Sequence, residues 1–355
     1  MIISRRRVAP SLIWQFLSPP LAITLAIATG YLFLTVQDLP AQAILVDFLI
    51  SPLSDSYSLV EIIGKATPLL ICALGLSICY RAKIWNIGAE GQFIAGALIG
   101  GAFALYLDDW PSWLSLPTIC LTGIAAGSFW AGISAWLKIS FKANEVLTTI
   151  MLNYISLHLL AWSLNGPLKD PEGFNFPESA LLADSVLLPS LLKTGYLSMG
   201  ALIALLLTVL LFFLNRNSIL LFRFRLLGED ESSARFSGLS TKSLTLQAMA
   251  ISGGLAGLAG IMEIVGPVGQ LTMNVNFGFG YAAIIVAFLG RLNPIGMLFA
   301  SLLMSITYLG AENVQIGYGI PRATTSIFQG ALLLYLLATD FFINFEISTA
   351  RAQPV

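Results

Sequence analysis

Carboxylate, amide and hydroxyl side chains form two short clusters within otherwise apolar stretches of the 355-residue sequence. The first cluster runs from Trp85 to Gln92 and contains Asn86, Glu90 and Gln92 beside two glycines. Side chains of these types can hold a polar solute by hydrogen bonds. Irregular backbone at membrane depth is tolerated only against protein or a water-filled cavity. The cluster therefore predicts either a broken segment that lines a translocation path or an ordinary turn at the inner membrane face.

The second cluster begins at Asn144 and carries Glu145, Thr149 and Asn153 at spacings of i, i+4 and i+8. This spacing places the three side chains on one face of a helix. Polar groups on a membrane span are expected to face the helix bundle rather than lipid. Two alternatives remain open, because Glu145 could sit at the inner interface near Lys142 and the threonines could serve as interhelical hydrogen bonders.

Ionisable residues elsewhere in the apolar stretches are few. Glu263 lies late in a span of small and apolar residues, where an acid needs a partner or water, so it is a candidate pathway residue. Glu61 and Lys65 have the favourable i, i+4 order of a helical ion pair. We interpret them as an interfacial pair rather than as a solute site.

Several enzyme classes are excluded by motifs that the sequence does not contain. It has no G-x-x-x-x-G-K-[ST], no H-E-x-x-H and no G-x-S-x-G pattern. Cys72, Cys79, Cys120 and the single histidine, His158, show no metal-ligand spacing. We expect neither catalysis nor ATP hydrolysis by this chain, and no metal site.

Composition identifies the elements that must position the polar clusters. Hydrophobic residues make up 57% of the chain and charged residues only 10%, whereas soluble domains carry roughly a quarter charged residues. We predict an all-α integral membrane protein, a single transmembrane domain over 1–355 with about ten spans, some short or broken. The first span is read as an uncleaved helix whose start Pro19-Pro20 would kink or delay. The predicted segments are 11–36, 59–80, 90–107, 112–137, 145–164, 195–214, 244–266, 278–290, 294–311 and 323–344.

The basic residues predict the orientation. With a cytoplasmic N-terminus, 14 of the 18 Lys and Arg residues fall on the inner side. These are Arg5, Arg6, Arg7, Arg81, Lys83, Lys138, Lys142, Arg216, Arg223, Arg225, Arg235, Lys242, Arg291 and Arg351. The outer side receives Lys65, Lys169, Lys193 and Arg322. Residues 165–194 then form a long outer loop.

The inner loop 215–243 has the densest charge in the chain. Gly228 is expected to end one element, acids from Glu229 onward suit the start of a helix, and Gly238 suits its end. The pattern predicts a short cytoplasmic helix from Glu229 to Ser237. This helix is either a solvated surface element or a docking element for a soluble partner.

Small residues at 252–260, Gly96/Gly100 and Gly123/Gly127 predict close helix packing.

These clusters resemble a known family, the permeases of ABC importers of the branched-chain amino acid and simple sugar superfamily. Within it the sequence looks most like the nucleoside importers that work with a basic-membrane-protein-type binding lipoprotein. The similarity runs from about residue 60 to 340. The matching residues are 86–92, 144–146, 149–154, 228–238, 252–260 and 287–296, with paired alanines of the family replaced by Asp230-Glu231 and Ser233-Ala234.

The resemblance implies a transmembrane subunit of an ATP-driven importer for a nucleoside or sugar-like solute, located in the bacterial cytoplasmic (inner) membrane. Expected partners are a cytoplasmic ABC ATPase, which binds ATP and Mg, a second permease subunit, homologous or identical, and an extracytoplasmic binding protein. An ion-gradient-driven secondary transporter is the alternative. The predicted pathway residues are Asn86, Glu90, Gln92, Asn144, Glu145, Thr149, Asn153 and Glu263. The predicted ATPase-coupling residues are Gly228, Glu229, Asp230, Glu231, Ser233, Ala234, Arg235 and Gly238.

Overall fold

A computed structural model describes residues 2–6, 11–107, 109–192, 197–275, 278–321 and 323–349. Within these ranges the chain forms thirteen α-helices and one pair of short strands. The helices are α1 (Leu12–Val36), α2 (Ala41–Leu49), α3 (Ser56–Arg81), α4 (Ala89–Ala104), α5 (Ser112–Phe141), α6 (Glu145–Asn165), α7 (Gly200–Asn217), α8 (Ile219–Glu229), α9 (Glu231–Phe236), α10 (Thr241–Glu263), α11 (Phe279–Leu289), α12 (Pro294–Tyr318) and α13 (Ala323–Asn344). The strands β1 (Ile2–Arg6) and β2 (Phe345–Thr349) pair in antiparallel register.

The polytopic helical prediction is confirmed. Eight of the described helices are long and apolar enough to cross a bilayer. The two remaining predicted segments, 90–107 and 278–290, correspond to the shorter helices α4, of 16 residues, and α11, of 11 residues. Helix α1 runs through Pro19 and Pro20, so its start is not delayed. Helix α2 and the terminal strands were not predicted, because the apolar stretch of α2 is only nine residues long and each strand has five residues.

The chain divides into two compact units, one of 1–54 with 306–355 and one of 55–305. In the first, α1 packs against α13, with Trp14 stacked on Phe342 at 4.8 Å between ring centroids. The hydroxyl groups of Thr29 and Tyr335 share a hydrogen bond of 2.7 Å. The second unit contains α3 to α11 and the beginning of α12, and it holds every predicted functional residue of the described chain.

Helix α10 is the centre of the second unit and packs against α3, α4 and α5. Small residues make this packing possible, because a Cβ at Gly257 would lie 2.2 Å from the Gly123 carbonyl oxygen and one at Gly260 would lie 2.0 Å from that of Phe93. The predicted role of the 252–260 stretch in close packing is confirmed. The tight backbone contact brings the N-terminal end of α4 against the interior of the unit.

Some sequence predictions concern residues outside the described ranges. Arg7 and Arg351, predicted inside, and Lys193 and Arg322, predicted outside, are among them, as is the first part of the predicted segment 195–214.

Candidate functional site

The turn between α3 and α4, residues 82–88, folds back into the protein and together with the first residues of α4 is called the buried turn (82–92) below. Lys83 adopts a left-handed conformation with φ of 53°, which redirects the chain after α3. The Tyr80 hydroxyl donates to the Asn86 carbonyl oxygen at 2.9 Å. Asn86 has 0% of its surface exposed. Asn86 is therefore covered by protein, and Glu90 and Gln92 lie in the first turn of α4, as the alternative of an ordinary turn predicts.

Asn86 is the hub of the buried turn. Its side-chain oxygen accepts from the Gly88 amide at 2.9 Å and from the Gln92 side-chain nitrogen at 3.0 Å. Its side-chain nitrogen donates to the Gln92 oxygen and to the Ser252 hydroxyl, each at 3.0 Å. The side-chain oxygen and nitrogen atoms of Asn86 and Gln92 therefore all have protein partners, as buried polar groups require. The network ties α4 to α10.

Two residues of the predicted α6 stripe close the buried turn from the other side. The Asn153 oxygen accepts from the Gly91 amide at 2.8 Å, and its nitrogen donates to the Ile87 carbonyl oxygen at 3.0 Å. The Thr149 hydroxyl accepts from the Ile87 amide at 3.3 Å. Asn153 and Thr149 are buried, with 3% and 1% of their surfaces exposed. The stripe faces the helix bundle, as the spacing predicted.

The Glu90 side chain, which belongs to α4, contacts the N-terminus of α11. Its two carboxylate oxygens accept from the backbone amides of Gly278, at 3.1 Å, and Gly280, at 2.6 Å. A carboxylate at a helix N-terminus is favoured by the unpaired amides and by the helix dipole. The helices meet closely here, since a Cβ at Gly280 would lie 2.2 Å from the Glu90 nitrogen. Two short helices, α4 and α11, thus begin against each other inside the unit.

A cleft of about 320 Å³ opens beside this junction. Four aliphatic side chains form part of its lining, and the remaining four can hydrogen bond. The lining residues are Ile87, Ile94, Ile150, Leu157, Glu90, Asn153, Tyr154 and Tyr281. Asn153 donates a further hydrogen bond, of 3.0 Å, to the Tyr281 hydroxyl. Of the predicted pathway residues, Glu90 and Asn153 therefore line the cleft, while Asn86 and Gln92 are not part of its lining.

The start of α6 has a structural explanation. The Asn144 side chain caps α6 by accepting from the Val146 amide at 2.9 Å. Glu145 forms an ion pair of 2.6 Å with Lys138 on α5. The expected neighbour was Lys142, but Lys142 takes a left-handed conformation at the end of α5 and Lys138, one turn earlier, reaches Glu145 instead. Thr148 shares a hydrogen bond of 2.8 Å with Ser134, which confirms the interhelical alternative for that residue.

Glu263 lies apart from the cleft, at the opposite end of α10 from the chain's inner loop. It lines a small pocket with Thr67, Ser198 and Gly200. The positive charge of Lys65 acts on Glu263, and Lys65 also forms the predicted ion pair with Glu61, at 3.4 Å. The structure does not bring Glu263 together with Glu90 and Asn153. It belongs to a separate charged group between α3 and α10.

The inner loop contains two short helices, α8 and α9, which we call the exposed segment (219–238). Helix α9 starts at Glu231 rather than Glu229, because Asp230 is extended and its carboxylate accepts from the amides of Ser232, at 3.1 Å, and Ser233, at 3.0 Å. The Ser233 hydroxyl and these amides hold the pKa of Asp230 below its usual value. The cap is therefore charged at neutral pH and is lost only when the pH falls through that lowered pKa.

Two glycines, Gly228 and Gly238, lie on either side of α9. Gly228 lies in the last turn of α8, which continues to Glu229, and a Cβ there would lie 2.1 Å from the Arg81 carbonyl oxygen at the end of α3. Gly238 has φ of 77°, the left-handed conformation expected at a helix end. Between them Arg235 pairs with Glu231 at 2.5 Å, and Phe236 has 94% of its surface exposed. Gly228 thus anchors the segment on α3, while most of α9 is free to meet another molecule.

Comparison with known families decides what kind of protein this is. The family described as branched-chain amino acid transport system / permease component matches residues 58–337. The chain belongs to this permease family. Its members are transport components rather than enzymes, and membership in an ABC permease family implies an ATPase and other transporter components.

Three relatives of this permease span nearly its whole length. A glucose ABC transporter permease of Haloferax volcanii is 31% identical over 97% of this chain and 93% of its own. A guanosine ABC transporter permease of Bacillus subtilis is 31% identical over 96% of this chain and 97% of its own. A nucleoside ABC transporter permease of Lactococcus lactis is 28% identical over 86% of each chain.

The predicted pathway residues omit several residues of the permease site, although Tyr154 and Ser252 lie in stretches that carry the family resemblance. Tyr154 and Tyr281 line the cleft, Ser252 completes the buried network, and Lys138 pairs with Glu145. The tyrosines follow Asn153 and Gly280 directly in sequence, which is the signal that could have identified them. Within an apolar span, however, a tyrosine resembles any other packed aromatic residue.

Proposed function

We propose that this permease forms part of a path through which a small polar solute, a nucleoside or a sugar-like compound, is imported by a process driven by ATP hydrolysis. The observation that carries the proposal is the polar cleft beside Glu90 and Asn153, built on two short helices that begin inside the helix bundle. Discontinuous helices of this kind form solute sites in other transporters. The relatives named for glucose, guanosine and nucleosides support this solute class.

The predicted pathway residues take different roles in this proposal. Glu90 and Asn153 face the solute path, and Asn86, Gln92 and Thr149 hold them in place. Asn144 and Glu145 fix the start of α6. Glu263, with Lys65, supplies a polar point near the outer end of the path. Replacing Asn153 with leucine should lower uptake more than it lowers the amount of folded protein.

We propose that three partner proteins assemble with this chain to form the complete transporter. A cytoplasmic ATPase binds ATP and Mg and docks on the exposed segment, a second permease, identical or homologous, completes the path, and an extracytoplasmic protein delivers solute. The coupling residues are those of the sequence prediction, from Gly228 to Gly238. The exposure of α9 and the close packing of Gly228, on α8, against Arg81 support this role, because a docking element needs a free surface and a rigid base.

Reconstitution tests the function directly. The permease is assembled with its candidate ATPase, second permease and binding protein in proteoliposomes, and uptake of labelled guanosine and glucose is measured with ATP inside or outside. ATP-dependent uptake of either solute is expected, and an ATPase lacking its P-loop lysine should abolish it. Uptake that follows an imposed proton or sodium gradient without the ATPase would instead establish the secondary-transporter alternative.

We further propose a location in the bacterial cytoplasmic membrane with the exposed segment inside. Two contacts support this orientation. Arg81 donates to the Asn215 side chain at 2.8 Å, and both residues are predicted to lie on the inner side. The Ser179 amide, in the predicted outer loop, donates to the Leu271 carbonyl oxygen at 3.0 Å, and Leu271 follows the outer end of α10. In a background with Cys120 replaced by serine, cysteine at Glu172 should react with an impermeant thiol reagent from outside cells and cysteine at Arg235 should not. The reverse pattern would overturn the orientation.

A further inference from the structure

The polar groups that line the cleft are already largely committed to the protein. Each carboxylate oxygen of Glu90 accepts a backbone amide of the α11 N-terminus. The Asn153 amide bonds Gly91, Ile87 and Tyr281. Glu90 has 2% and Asn153 3% of its surface exposed. These two residues therefore shape the cleft and polarise its floor, but they leave little surface for direct contact with a solute.

The accessible chemistry of the cleft comes from two tyrosines. Tyr154 on α6 has 55% of its surface exposed, and Tyr281 on α11 has 39%. The Tyr281 hydroxyl oxygen accepts from Asn153, so its own hydrogen can be donated to another acceptor. The rest of the lining is aliphatic, from Ile87, Ile94, Ile150 and Leu157. A solute in the cleft meets ring faces, phenol hydroxyls and hydrocarbon.

This lining discriminates between solute classes. A free amino acid carries a carboxylate that needs a cationic partner, and none of the eight described lining side chains is basic. A simple sugar offers many hydroxyl groups, which would find few free hydrogen-bonding partners on aliphatic walls. A nucleoside is neutral and joins a flat heteroaromatic ring, which stacks on tyrosine, to a few hydroxyl groups. The volume of about 320 Å³ is within the range of small-molecule sites.

We propose that the cleft is a nucleoside subsite in which Tyr154 and Tyr281 contact the base and select it over sugars and amino acids. The proposal rests on the permease function proposed above and narrows its solute class. Asn153 acts as a positioning residue, because its amide fixes the Tyr281 hydroxyl. Base–aromatic stacking tolerates different bases, so the subsite should accept purine and pyrimidine nucleosides alike.

The test uses the assembled transporter in proteoliposomes with labelled guanosine, uridine, glucose and leucine. Tyr154→Leu removes the ring and should lower uptake of both nucleosides about tenfold, the loss expected for one stacking contact. Tyr154→Phe keeps the ring and should retain most uptake. Tyr281→Phe removes one hydroxyl and should have an intermediate effect. Trp162→Leu is the matched control, because Trp162 is an exposed aromatic on the same helix outside the cleft.

The outcomes separate this proposal from the one it rests on. If the wild-type assembly carries no solute with ATP, the proposed permease function fails. If the wild type carries glucose or leucine but neither nucleoside, the function stands and the nucleoside subsite is wrong. If it carries nucleosides and Tyr154→Leu equals Trp162→Leu in rate and in amount of folded protein, the rings do not contact the base and the proposal is overturned.

Discussion

The buried turn and the exposed segment interrupt an apolar chain with the same kinds of residues, yet they are held together differently. In the buried turn, Asn86 bonds Ser252, 166 positions away, and Glu90 bonds Gly280, 190 positions away. In the exposed segment, Asp230 bonds residues two and three positions ahead, and Arg235 bonds Glu231 four positions back. The first region is held by contacts between distant parts of the chain, whereas the hydrogen bonds of α9 join near neighbours in the sequence.

Because of this difference, substitutions in the two regions should affect different properties of the protein. An altered residue in the buried turn leaves a polar group without a partner in the protein interior, at a cost in folding free energy. An altered residue on the exposed surface of α9, such as Arg235, should leave the helix bundle intact and change the surface that another protein meets. The predictions below test this separation, beginning with the largest expected effect.

Gly280→Ala should have the largest effect, because the added Cβ would lie 2.2 Å from the Glu90 backbone nitrogen and the helices cannot separate without breaking the hydrogen bonds from Gly278 and Gly280 to Glu90. We expect a several-fold loss of folded, monodisperse protein in detergent, measured by size-exclusion chromatography. Gly132→Ala is the control, since a Cβ there has nothing within 4 Å. Equal yields for the two variants would show that the junction of α4 and α11 is not tightly packed.

Glu90→Ala should come next. It removes the carboxylate that accepts from Gly278 and Gly280, at a cost of about 1–3 kcal/mol for the buried amide of Gly280. Glu90→Gln retains one carbonyl acceptor and should be destabilised less. Thermal unfolding in detergent measures the order, wild type above glutamine above alanine. If alanine unfolds at the wild-type temperature, Glu90 is not a structural cap, and a direct role toward solute becomes the better explanation.

The same contrast explains what the sequence could predict. Helix α9, its capping acid and the positive φ of Gly238 were predicted to within two residues, because each follows from near neighbours in the chain. The polar residues of the buried turn were found because they interrupt an apolar pattern. Their partners were not found, since Gly280 and Ser252 are a glycine and a serine in spans rich in small residues. Only the fold brings them to Glu90 and Asn86.

The cleft shows the limit of pattern reading more clearly. Glu263 was grouped with Glu90 because both are acids in apolar spans, but the structure assigns them to different places. Glu90 satisfies helix amides, and Glu263 lies near Lys65. Residue type alone does not distinguish an acid that caps a helix from one that faces a charge. The distinction depends on which helices are adjacent.

Gly238→Val should have a smaller effect confined to the exposed segment. A β-branched residue at φ of 77° is strained by roughly 1–2 kcal/mol, and no atom lies within 4 Å to add a clash. We expect unchanged unfolding of the helix bundle but weaker co-purification of the ATPase. Gly238→Asn tolerates the left-handed conformation and should retain more binding. If Gly238→Val also lowers the stability of the helix bundle, the exposed segment and the bundle are not independent.

Arg235→Glu should have the smallest effect on the permease itself. The Arg235–Glu231 pair is exposed, and such pairs contribute only about 0.2–0.5 kcal/mol to a helix. If ATPase association nevertheless falls, the cause is charge at the interface rather than loss of helix. The effect should weaken as salt is raised, because exposed charges are screened.

The double variant Glu231→Arg/Arg235→Glu decides between these causes. It restores an ion pair within α9 but reverses both charges on the surface that the ATPase would meet. If the surface matters, the double variant should bind the ATPase no better than Arg235→Glu, whereas recovery to wild-type binding would mean that the pair only stabilises the helix. Full ATPase binding and full uptake in the single variant would instead show that Arg235 takes no part in docking. If Gly238→Val also retains full ATPase binding and full uptake, the exposed segment is not the surface that couples to the ATPase.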